Sequence, residues 1–135
     1  MQLTQATDYS FRTIYYLASQ EKGVITSAQD IADHEVIPFR FLLKIMRPLI
    51  KAGLVMSHRG ITGGYSLAKS PEEISLLDIV EAVEGPVSIN RCLVNAEYCS
   101  KNFTKHCPFH QVLGEVQKLI TDKFSQVTIN DLCIK

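Results

Sequence analysis

Pro38-Phe39-Arg40-Phe41-Leu42-Leu43-Lys44-Ile45-Met46-Arg47-Pro48-Leu49-Ile50-Lys51-Ala52-Gly53 is the stretch on which the fold turns. Leu42, Ile45, Met46, Leu49 and Ile50 recur at helical spacing and predict one buried stripe. At about 100° per residue, Arg40, Lys44, Arg47 and Lys51 gather in a narrow stripe opposite it. Pro38 suits the first turn of such a helix, where its missing N–H is no loss, and Gly53 suits its end. Pro48 removes the bond to the Lys44 carbonyl, so a kink or local tightening is expected there. A helix over 38–51, apolar on one side and uniformly cationic on the other, fits a duplex groove.

The neighbouring residues extend this into a motif. Ser27 caps a predicted short helix over about 28–34, with Ile31 and Ala32 facing inward. Three or four residues then lead to Pro38, which is helix-turn-helix spacing. Downstream, Leu54 to His58 and Tyr65 to Ala68 read as two short strands around Arg59-Gly60-Ile61-Thr62-Gly63-Gly64, a wing over about 54–68. Gly60 and Gly63 permit positive φ and close approach to a phosphate backbone, and Arg59 suits a narrow minor groove. His34 falls at the helix-turn-helix turn and His58 in the wing, as structural or phosphate-contacting residues. The expected DNA-contacting set is Arg40, Lys44, Arg47, Lys51, His58, Arg59, Gly60 and Gly63.

Charge distribution supports the same reading. The formal net charge is +0, yet six cations and no anion lie between Val36 and Pro71. The rest of the chain carries eight basic and fourteen acidic residues. The neutral total therefore does not argue against nucleic acid, while the local field argues for it. At 135 residues, 46% hydrophobic and 21% charged, the chain fits one globular domain. No apolar run approaches the roughly 20 residues a membrane span needs, and the N-terminus lacks a signal-peptide pattern, so a cytoplasmic address is expected. There is no Gly-x-Ser-x-Gly elbow, no phosphate loop and no carboxylate pair clustered with a histidine, so no enzyme class is indicated.

The remaining elements frame this module, expected over 1–84. Phe11, Ile14, Tyr15 and Ala18 predict an opening amphipathic helix. Ser75 caps another through about Glu84, with Ile79, Val80 and Val83 inward and Gly85-Pro86 as its stop. Residues 85–107 show no period and read as a long loop carrying cysteines. Phe109, Leu113, Val116, Ile120, Phe124 and Val127 then predict a long helix over 108–126 whose seam suits a second copy. Residues 127–135 read as a tail, with Cys133 as a spare thiol. The fold class is thus mainly α with a small antiparallel β wing: a winged helix-turn-helix domain plus a C-terminal dimerisation helix.

Cys92, Cys99, Cys107 and His110 place three thiols and an imidazole within nineteen residues. In a reducing compartment such a set binds metal or does redox work rather than forming disulfides. Zinc held by three cysteines and one histidine is one reading, although paired Cys-x-x-Cys knuckles are missing. An iron–sulfur cluster is the other. An electron carrier built on that cluster would leave the basic helix and wing unexplained.

Taken together, the chain resembles the Rrf-two family of bacterial transcription regulators, which includes the IscR and NsrR types. The resemblance rests on Gln2-Leu3-Thr4, Thr7-Asp8-Tyr9, Arg12, Ile31-Ala32 and Lys51-Ala52-Gly53-Leu54-Val55. It also rests on the wing Arg59-Gly60-x-x-Gly63-Gly64-Tyr65-x-Leu67-Ala68, on Asp78-Ile79-Val80 and on the cysteine run. It implies a homodimer on palindromic double-stranded promoter DNA, acting as repressor or activator, with one iron–sulfur cluster per protomer. Cys92, Cys99 and Cys107 match the family's three cysteines in order. The fourth ligand stays open. His110 resembles the IscR type, which holds a 2Fe–2S cluster and is favoured here. Asp8 resembles the NsrR type, where the partner's aspartate completes a 4Fe–4S cluster. A carboxylate in a helix's first turn is also stabilised by the helix dipole without any metal.

Overall fold

The computed structural model describes residues 2–133. The opening helix, α1 (Gln5–Ser19), begins where Thr4 Oγ1 accepts the Thr7 N–H at 3.3 Å. Its inner face is Thr7, Tyr9, Ser10, Thr13, Ile14 and Leu17. Tyr15, expected inside, is exposed, and Phe11 and Ala18 are half-buried. Of the hydroxyl residues on this face, Ser10 is satisfied locally, its Oγ donating to the Ala6 carbonyl at 2.7 Å, Thr7 bonds Glu84, and Thr13 Oγ1 is buried without a hydrogen-bond partner among the described residues.

Helix α2 (Ala28–Glu35) is capped by Ser27, whose Oγ accepts from the Asp30 N–H at 3.1 Å. Val36 ends it at φ 55°, a left-handed conformation uncommon for a β-branched residue, and the Ile37 N–H closes the turn on the Ala32 carbonyl at 2.9 Å. Helix α3 (Phe39–Lys51) follows, with Pro38 one residue before its first turn, as its cap. The helix runs through Pro48 to Lys51, and the tightening appears only at its end. There Gly53, at φ 77°, donates to Ile50 at 2.9 Å, and the buried Leu54 donates to Leu49 at 3.0 Å. This is a glycine-terminated helix end sealed by an apolar contact. Leu42, Ile45, Met46 and Leu49 form the buried stripe; Ile50, expected with them, is exposed at the stripe's edge.

Strands β1 (Val55–His58) and β2 (Gly64–Leu67) pair antiparallel, from Val55 opposite Leu67 to His58 opposite Gly64. Thr26 and Tyr65 exchange backbone bonds of 2.9 and 2.8 Å, fixing the wing to the residue pair that opens α2. Gly64 is required there, since a Cβ would collide with the Thr26 backbone; at Gly63 it would meet the His58 carbonyl.

A capping box sets α4 (Leu76–Glu84): Ser75 N–H donates to Asp78 Oδ2 at 2.9 Å and Asp78 N–H to Ser75 Oγ at 3.1 Å. The segment expected as an unbroken loop over 85–107 instead contains α5 (Arg91–Val94) and 3-10 turns at Ala96–Tyr98 and Thr104–His106. Short polar turns without an apolar repeat left no period to detect. Helix α6 (Pro108–Gln126) has no fully buried residue. Its predicted seam divides. Leu113, Ile120, Phe124 and Val127 are half-buried, while Phe109 and Val116 lie exposed with Val112 and Leu119.

Of the expected tail, residues 127–133 are part of the body, and residues 134–135 lie outside the described residues. The Val127 carbonyl accepts from Leu76 N–H at 3.0 Å, and Ile129 N–H donates to the Ile74 carbonyl at 2.9 Å. Helix α7 (Ile129–Cys133) then packs on α1, with Ile129 only 1% exposed and Cys133 partly buried against the core. Ile14, Ile31, Leu42, Leu49, Leu54, Ile74, Ile79 and Ile129 are the most deeply buried leucines and isoleucines, each worth about 1.5–3 kcal/mol of burial.

Candidate nucleic-acid interface and thiol site

The outer face of α3 carries Arg40, Lys44, Arg47 and Lys51, all exposed, and none takes part in an ion pair among the described residues. Their charge is therefore not neutralised by the protein itself. Arg59 and Gly60 are exposed at the turn of the wing, Gly60 at φ 108°. Gly63 is half-buried against the wing's own backbone. His58 differs from the expected contact: its Nε2 lies 2.8 Å from Ser66 Oγ across the strands, so one ring nitrogen is engaged within the wing.

A second arginine sets the geometry of the helix pair. Arg12 Nη1 donates to the Glu35 carbonyl at 2.9 Å, Nη2 to Asp8 Oδ2 at 3.2 Å, and the guanidinium lies 4.6 Å from the Tyr9 ring centroid. Tyr9 in turn meets Phe41 of α3 edge-on at 5.1 Å. Arg12 thus fills an orphan carbonyl at the end of α2, directly before the left-handed Val36. The family resemblance singled out Arg12 without giving it a role, and the helical pattern gave none, since an arginine on an amphipathic helix reads as solvated. Glu84 performs a similar service between α4 and α1. It accepts from the Thr4 N–H at 3.0 Å, from Thr4 Oγ1 at 3.3 Å and from the Thr7 hydroxyl. Partial burial raises its pKa, but the Thr7 and Thr4 hydrogen bonds outweigh that and hold it below the ordinary value.

The thiol segment is only partly assembled. His110 Nδ1 lies 3.0 Å from Cys92 Sγ, joining α6 to α5, and Asn90 Nδ2 donates to the same sulfur at 3.4 Å. Cys99 and Cys107 are half-buried at the ends of the two 3-10 turns and do not join that pair. Among the described residues no three His, Cys, Asp or Glu side chains come together as a metal ion needs. The Cys99 thiol is nonetheless held below its ordinary pKa, first by the Phe103 and Lys101 backbone N–H groups. By donor chemistry, three thiols and one imidazole fit a cluster or zinc; by position, Cys92 and His110 are brought together, and no third ligand joins them among the described residues. Asp8 is exposed and engaged with Arg12.

The family model for Rrf2, described as an iron-dependent transcriptional regulator, matches residues 3–135. The HTH-type transcriptional regulator NsrR of Shouchella clausii (strain KSM-K16) is 35% identical over 134 residues, spanning 99% of this chain and 89% of that protein. CymR (YrzC), the global cysteine regulator of B. subtilis, has a solved structure with a TM-score of 0.72 at 25% identity, covering 98% of this chain and 96% of that one. The oxidized form of Staphylococcus aureus CymR gives a TM-score of 0.77 at 26% identity, covering 100% and 98%. No helix among the described residues is long and apolar enough to cross a membrane. With its two-stranded wing, its cationic α3 and a family match over nearly its whole length, the chain belongs to the Rrf2 family of winged helix-turn-helix, DNA-binding transcription regulators and is not an enzyme.

Proposed function

We propose that this regulator acts in the cytoplasm as a homodimer on palindromic promoter DNA, and that an iron–sulfur cluster sets its affinity. Arg40, Lys44, Arg47, Lys51 and Arg59 would meet phosphates or bases, with Gly60 and Gly63 shaping the wing. Support for a dimer comes from α6. Phe109, Val112, Val116 and Leu119 are exposed at steps of three, four and three, the pattern of an apolar seam awaiting a second helix.

Cys92, Cys99, Cys107 and His110 would hold the cluster. The observation that carries this choice is the 3.0 Å approach of His110 Nδ1 to Cys92 Sγ. A 2Fe–2S cluster so held would supply iron sensitive to oxygen, nitric oxide or iron supply. The likeness to NsrR keeps Asp8 and a 4Fe–4S cluster as the rival assignment, against the engagement of Asp8 by Arg12. Ordering of the thiol segment against α6 would bias the spacing of paired winged domains, a population shift between dimers that fit DNA and dimers that do not.

A second reading, regulation through zinc or thiol oxidation without a cluster, is favoured by the separation of Cys99 and Cys107 from the Cys92–His110 pair. Anaerobic reconstitution decides between them, with iron, sulfide and zinc assays, absorbance and Mössbauer spectra. The cluster reading expects coloured protein that His110→Ala loses and Asp8→Ala keeps. Colourless, iron-free protein after reconstitution overturns it.

A further inference from the structure

We infer that Phe39 and Leu43 read thymine methyl groups in the major groove, making them specificity residues alongside the cations. This rests on α3 being the groove-reading helix, and goes beyond it by assigning a base chemistry.

Phe39 and Leu43 are 42% and 39% exposed, although Leu42, Ile45 and Met46 beside them are buried to 3% or less. At about 100° per residue, Phe39, Ile50 and Leu43 fall within about 40° of one another, and the four cations occupy the adjoining arc of about 60°. The outer surface of α3 is therefore two rows, one apolar and one cationic, where the sequence pattern indicated a single cationic stripe. A shallow depression of about 620 Å³ lies over the cationic row and reaches the apolar row at Leu43, lined by Pro38, Arg40, Phe41, Leu43, Lys44 and Arg47.

Charge selects the occupant. A second copy docking here would bring unpaired cations face to face, a repulsive arrangement. A polyanion is complementary to the cationic row. Phe39 is the first residue of the helix and Leu43 lies one turn further, at the end by which recognition helices reach base edges. In the major groove, thymine alone presents an apolar group, its C5-methyl. An apolar row beside a phosphate-binding row thus matches a thymine-bearing stretch of the half-site.

The test uses the full chain and duplexes selected by it from a random-core library. Thymidines of the best duplex are replaced singly by deoxyuridine, which lacks only the methyl. One or two replacements per half-site should weaken binding by about three- to fivefold, the value for one buried methyl group. Leu43→Ala or Phe39→Ala should abolish that sensitivity while circular dichroism and sedimentation stay unchanged. Indifference of the parent protein to every replacement, or full sensitivity retained by both variants, overturns the assignment. Altered sedimentation of Leu43→Ala without DNA would give the face to a second copy and also overturn it. Failure to select any duplex would instead bring down the groove-reading role of α3, and the inference with it.

Discussion

Removing Arg47 tests the electrostatic argument most directly. Arg40, Lys44, Arg47, Lys51 and Arg59 are exposed and without ion pairs among the described residues, so none surrenders an internal partner on meeting a phosphate. If each neutralises one phosphate, a two-fold dimer makes about ten contacts, and log K against log salt has a slope near −9, at about −0.9 per phosphate. Raising salt from 50 to 200 mM would then cost roughly five decades of affinity. Arg47→Ala deletes two contacts per dimer, so the slope should become shallower by about 2. Fluorescence anisotropy of a selected duplex across that range, with parent and variant in parallel, measures both values. A bound monomer would give only about half the parent slope, so the experiment also counts copies. A parent slope shallower than about −3, or an unchanged slope in Arg47→Ala, would refute the reasoning.

Two predictions concern the contacts that hold the module together. Arg12→Ala removes a charged hydrogen bond to Glu35 and should destabilise the protein by about 1.5–3 kcal/mol, whereas Asp8→Ala, which breaks an exposed pair, should cost below about 1 kcal/mol. Urea titration of both variants checks the ordering. Because the Glu84 pKa is depressed on folding, its contribution is present above the ordinary value of 4.5 and declines as pH falls through the lower folded value. Glu84→Gln should therefore lower stability at pH 7 and flatten the acid limb of a stability-versus-pH curve; an unchanged limb would deny the Thr4–Thr7 anchor.

Much of the DNA-reading half is legible in the chain because local chemistry dictates it. Ser27 and Ser75 cap their helices, Gly53 ends α3, and Gly63 and Gly64 sit where backbone crowds backbone. What escaped the sequence is non-local. Thr7, Ser10 and Thr13 line the buried face of α1 in place of Tyr15, and polarity hides them from a hydrophobic pattern. Phe39 and Leu43 belong to no stripe in the sequence pattern, and their exposure shows only in the fold, where the core is filled without them. The thiol run was visible as a ligand set, but spacing along the chain carries no information on which sulfur meets His110.

The pairing of residues 127–129 with residues 74–76 bears on when the protein becomes competent during its synthesis. Ile129 completes a core whose other members lie in the first 80 residues, joining parts of the chain more than a hundred residues apart. Contacts of such separation form late, after the local helices. A nascent chain that has already emerged through the wing holds the cationic α3 and both strands, yet leaves open the side of α1 that α7 covers. The thiol segment and α6 lie between those two halves in the order of translation. The winged module is thus a body that closes only after the thiol segment and α6 have been made.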